Sequence, residues 1–77
     1  MKIEILGTGC PKCKKLFDNA VEAVRLAGFQ ADVVKVEDIQ KILEFGVMIT
    51  PAIAVDGEVK SAGKALSVDA IKKMISK

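Results

Sequence analysis

Apolar and polar positions in this chain follow two periods in turn, and the changes of period divide it into seven segments. Residues 2–6 form a short run of low polarity, which suits a strand in a sheet covered on both faces. From Pro11 the spacing becomes helical. Cys13, Leu16, Phe17, Ala20, Val24 and Ala27 follow the i, i+3, i+4, i+7 series, and Lys14, Lys15, Asp18, Glu22 and Arg25 fall opposite. Pro11 suits the first helical position, where its missing N–H is no loss, and Gly28 suits the position just past the end. Residues 31–36 read as a second strand by their β-branched content. Residues 38–45 read as a short helix burying Ile39, Ile42 and Leu43 and closed by Gly46. Ala52-Ile53-Ala54-Val55 and Glu58-Val59-Lys60 flank Asp56-Gly57, a two-residue hairpin signal. Ser67 can then cap a last helix with Val68, Ile71, Met74 and Ile75 on one side, and Leu66 and Ile71 are spaced as a hydrophobic staple.

The resulting order is β-α-β-α-β-β-α. A helix joins the first two strands, so a right-handed crossover makes them parallel, whereas the hairpin is antiparallel. The expected fold class is therefore α/β: a four-stranded mixed sheet with helices on both faces. Phe45 and Met48 are expected to pack inside, with an apolar rim from Val47-Met48-Ile49 as the alternative.

Seventy-seven residues suffice for one small domain spanning 1–77, and 51% of them are hydrophobic, so a core is available. A chain of this size buries only about 60–65% of its unfolded surface, so modest stability is expected. Twelve basic and ten acidic residues leave a net charge of +2. With no Trp or Tyr and only three Phe, that balance argues against nucleic acid as a partner. The first residues lack the apolar length of a signal peptide, and no stretch approaches the roughly 20 residues of a membrane span. The expectation is a soluble cytoplasmic monomer.

The two cysteines, Cys10 and Cys13, lie within Gly9-Cys10-Pro11-Lys12-Cys13. A bridge between them closes a loop of four residues and stabilises by only about 2 kcal/mol, so the pair is a poor brace. A dithiol at the entry to a helix, just after a strand and a glycine-bearing turn, is instead the layout expected of a redox switch. Thiols are normally kept reduced in the cytoplasm, which also points to catalysis or metal binding.

Three features resemble the thioredoxin-like superfamily in its small, glutaredoxin-sized form. They are the Cys10-Pro11-Lys12-Cys13 motif after the first strand, the element order, and Thr50-Pro51 opening the third strand. The chain looks closest to small redox-active disulfide proteins of that superfamily. The resemblance implies a protein disulfide reductase with no cofactor and no metal, in which Cys10 is the nucleophile and Cys13 the resolving thiol. It also implies a cis Thr50-Pro51 bond shaping the substrate groove. Its partners are then disulfide-containing proteins and an upstream reductase. A helix N-terminus favours the Cys10 thiolate and makes it a better leaving group when Cys13 attacks.

Lys12 and Pro11 are candidates for tuning Cys10, with Lys14 and Lys15 adding positive charge. Glu4 lies six residues before Cys10, where thioredoxins place a proton-relaying carboxylate; a solvated glutamate at the strand end is the plainer reading. The Pro-Lys insert matches neither the Gly-Pro of thioredoxins nor the Pro-Tyr of glutaredoxins. Of the segment that holds glutathione in glutaredoxins, only Gly63 is matched, which argues against glutathione as a partner.

Two other functions compete. A soft-metal carrier would use the same two thiolates for Cu(I). Such carriers, however, have Met where this chain has Thr8 and end in a strand. A redox-sensing module that docks a partner without turnover is the third reading.

Overall fold

The computed structural model describes residues 1–9, 11–28 and 30–75. The elements are β1 (Lys2–Leu6), α1 (Pro11–Ala27), β2 (Asp32–Val36), α2 (Ile39–Glu44), β3 (Ala52–Val55), β4 (Glu58–Ala62) and α3 (Val68–Ile75). The strands form one mixed sheet in the order β2-β1-β3-β4. β1 runs parallel to β2, with Ile5 opposite Lys35, and antiparallel to β3, with Ile5 opposite Ile53. The α/β architecture expected from the segment order is the one observed.

Side-chain alternation along the strands creates two cores. On one face, Ile3, Ile5, Ile53 and Val55 pack with Leu16, Ala20 and Ala23 of α1 and with Ile71 and Ile75 of α3. On the other, Leu6 and Ala52 pack with Ile42 and Val47. Ala23 is fully buried, although its methyl adds little to the apolar pattern by which α1 is recognised.

Local chemistry sets the ends of these elements. Gly28, at φ +74°, donates its N–H to the Val24 carbonyl and closes α1. The Asp38 side chain accepts from the Gln40 N–H at 2.9 Å and opens α2. Asp56 and Gly57 both have positive φ, as a primed hairpin turn requires. Ser67 Oγ accepts from the Ala70 N–H at the start of α3. The Asn19 amide of α1 donates to the Leu66 carbonyl at 2.9 Å, fixing the approach to that helix. On the solvent side of α1 the Arg25 guanidinium hydrogen-bonds to Glu22 and holds its carboxyl below the ordinary value.

Three expectations need correction. Of the α2 stripe only Ile42 is buried; Ile39 and Leu43 are exposed. Six helical residues rise about 9 Å, whereas the five of β1 extend about 16 Å. The helix therefore covers only part of the sheet face. Met48 does not pack inside and is 91% exposed. Val47 takes the inward position after the Gly46 turn, and the chain carries Met48 to the outside, while Phe45 does pack against the α2 core. Finally, β4 continues past Lys60 to Ala62, because a register shift between Ile53 and Ala54 lets Ala52 pair with Ala62.

Candidate functional site

The C-terminal ends of β1 and β2, the start of β3 and the first turn of α1 converge at one end of the sheet. Their meeting point is Gly7, held beside β2 by its N–H donating to the Val36 carbonyl at 3.0 Å. A Cβ built on Gly7 overlaps Cys13 Sγ and lies 3.0 Å from Cys13 Cβ and 3.9 Å from Thr50 Cβ. The absent side chain is what lets the first turn of α1 and the Thr50-Pro51 loop close on the same point.

Cys13 is 5% exposed and disulfide-bonded. The sequence's other cysteine, Cys10, lies outside the described residues, and so does the expectation that it is the exposed thiol. Pro11 is the first residue of α1, and Lys12, Lys14 and Lys15 are all exposed around that turn.

Thr50-Pro51 is cis. The Pro51 ring is buried and Thr50 is exposed. The Pro51 carbonyl accepts the Gly63 N–H at 2.8 Å. Gly63 has φ +80°, and a Cβ there would lie 3.0 Å from Ile49 Cγ2. Gly63 thus anchors the loop from inside, a role distinct from the glutathione contact its position suggested. Beside this loop Met48 and Ile49 stand exposed, at 91% and 62%, forming an apolar rim.

Glu4 does not line the cavity at Cys13. It is half-buried and alternates to the Leu6 side of β1, whereas Cys13 lies against the Ile5 and Gly7 side. A different set of charges adjoins Cys13. A cavity of about 240 Å3 is walled by Ile5, Gly7 and Gly9, by Cys13 and Lys14 of α1, and by Lys35 and Glu37 at the end of β2. Lys35 Nζ sits 4.7 Å from the centroid of the Phe17 ring, so its ammonium is held over α1. Glu37 Oε2 lies 3.3 Å from where a Gly9 Cβ would be.

Gly7, Lys35 and Glu37 are the residues that sequence reasoning missed. Gly7 carried a faint signal, a glycine ending an apolar run before the turn proper begins. Lys35 and Glu37 carried none, because their closeness to Cys13 depends on the strand register.

Comparison with known proteins agrees with this geometry. The family model described as a thioredoxin domain matches residues 1–76. A thioredoxin of Methanothermobacter thermautotrophicus is 46% identical over 76 residues, covering 99% of both chains. A thioredoxin of Methanocaldococcus jannaschii is 44% identical over 70 residues, covering 91% of this chain and 80% of its own. A probable thioredoxin of Methanothermobacter marburgensis is 34% identical over 67 residues, covering 82% of this chain and 79% of its own. With its mixed sheet, and with Cys13 of α1 and the proline loop meeting across Gly7, the chain belongs to the thioredoxin family.

Proposed function

We propose that this thioredoxin-family thiol–disulfide oxidoreductase reduces protein disulfides with Cys10 as the attacking thiol and Cys13 as the resolver. The Cys10 thiolate attacks a target disulfide and forms a mixed disulfide, releasing the first target thiolate. The Cys13 thiolate then attacks the Cys10 sulfur, the bond to the target breaks, and the second target thiolate leaves. Two electrons pass to the target, and an upstream reductase returns two to the Cys10–Cys13 disulfide.

The observation that carries this reading is the convergence at Gly7 of the Cys13 side chain and Thr50. It supports a groove in which Thr50 and Pro51 face the motif and an extended substrate segment pairs with the Thr50 backbone. The Met48–Ile49 rim suits an apolar patch on a protein partner, and Lys12, Lys14 and Lys15 favour an acidic one. Pro11 fixes the first turn, and Lys12 tunes Cys10 by its charge.

We assign residues 1–77 to one functional unit acting as a monomer in a reducing cytoplasm. No helix among the described residues is long and apolar enough to cross a membrane. The Cu(I)-carrier reading is disfavoured by the element order, since a second helix follows β2 and α3 follows the hairpin. Turnover of insulin disulfides, together with the reduction potential of the pair, tests the proposal. Substantial reductase-coupled turnover supports it. A protein that leaves insulin oxidised but takes up Cu(I) tightly and one-to-one would reverse it.

A further inference from the structure

The chain has three methionines, and the fold sets them in different surroundings. Met74 of α3 packs against the larger core, and Met1, 44% exposed, lies at the far end of β1 from Gly7. Met48 is 91% exposed, more than any other large apolar side chain described. It precedes Thr50 by two residues, and Thr50 Cβ stands 3.9 Å from the Gly7 Cβ position where Cys13 also converges. Ile49 is held against Gly63, which leaves Met48 outermost on the apolar rim. A thioether at that exposure is open to two-electron oxidants. One added oxygen turns its flexible apolar tip into a polar, chiral sulfoxide. Cys13 is 5% exposed and held in its disulfide, so its sulfur offers a hydroperoxide no competing thiolate.

We propose that Met48 is a reversible oxidation site through which hydroperoxides weaken the docking of protein substrates and leave the dithiol chemistry intact. The docking effect rests on the reading of this chain as a protein disulfide reductase. The Met48 sulfur attacks a peroxide oxygen, the O–O bond breaks, and an alcohol, or water from hydrogen peroxide, leaves. Sulfur is oxidised by two electrons and the peroxide is reduced by two. A methionine sulfoxide reductase reverses the change: two thiols become a disulfide and the oxygen leaves as water. The sulfoxide oxygen holds water that an apolar partner patch would have to strip away, so docking weakens. Met48 belongs to neither core, so the oxygen alters the rim and not the fold.

The test begins with full-length protein in its disulfide form, treated with hydrogen peroxide, cleared with catalase and mapped by peptide mass spectrometry. Met48 gains an oxygen before Met74 does. With dithiothreitol as electron donor, the KM for insulin then rises about fourfold, the effect of losing about one buried methylene. The rate with nitrobenzoate disulfide stays the same, and methionine sulfoxide reductase restores the KM. Met48→Leu keeps the rim apolar, starts near the wild-type KM and does not change with peroxide. Met48→Gln starts with the raised KM. Oxygen at Met74 ahead of Met48 overturns the site. An insulin KM unchanged once Met48 is fully oxidised, or an equal rise in Met48→Leu, overturns the effect on docking. If wild type turns over nitrobenzoate disulfide but not insulin, the functional reading and the docking effect fail together, whereas the mass spectra alone decide the oxidation site.

Discussion

The Cys13 side chain fills the space that a side chain on Gly7 would need. Any Cβ at Gly7 overlaps the sulfur, so the two residues are sterically exclusive at every size above glycine. Thr50 stands on the other side of the same point, its Cβ 3.9 Å from the Gly7 Cβ position. Gly7→Ala is expected to destabilise the oxidised protein by about 1–3 kcal/mol, the usual cost of overpacking. Its reduction potential should move as well, because the strain falls on the disulfide-bonded sulfur. Urea unfolding of both redox forms and a glutathione redox titration measure the two effects. Unchanged stability and potential would show that the β1 end yields freely.

Gly63 is expected to be the second sensitive glycine. Its φ of +80° disfavours any side chain, and a Cβ there presses on Ile49. Gly63→Ala should cost about 1–2 kcal/mol from the left-handed backbone alone. It should also lower insulin turnover, because the strained N–H is the donor to the Pro51 carbonyl. Stability loss with activity fully retained would separate Gly63 from the groove.

Ile71 and Met48 should separate folding from docking. Ile71 is fully buried between α3 and the sheet, so Ile71→Ala is expected to cost about 2–5 kcal/mol, a large share of a small domain's stability. Met48→Ala touches no core and should stay within about 0.5 kcal/mol of wild type. Met48→Ala should instead raise the KM for a protein disulfide and leave the reaction with a small disulfide unchanged. Denaturation midpoints and steady-state kinetics with both substrate classes distinguish the two residues.

The sequence showed the fold well because its punctuation agrees with its periodicity. Pro11 and Gly28 bracket α1, Asp56-Gly57 makes the hairpin, and Ser67 opens α3. It showed less where a segment is too short for its pattern to dictate burial. Ile39 and Leu43 look like core residues, yet α2 is too short to bring both against the sheet. Met48 looked inward only because hydrophobic composition carries no direction in a loop.

The site was legible in its motifs and obscure in its surroundings. Cys10-Pro11-Lys12-Cys13 and Thr50-Pro51 stand out locally, whereas Lys35 reaches the site only because it pairs with Ile5 across the sheet. Counting back from Cys10 singled out Glu4, but strand alternation carries it to the other face. Glu37 instead lines the same cavity as Cys13.

The most direct test of the central claim is covalent trapping with the resolving step removed. Cys13→Ser should accumulate a mixed disulfide with a protein substrate, and peptide mass spectrometry should place the linkage at Cys10. Cys10→Ser should trap nothing and turn over no insulin. A complex that forms through Cys13 in Cys10→Ser, with none in Cys13→Ser, would contradict the assignment of attacking and resolving thiols.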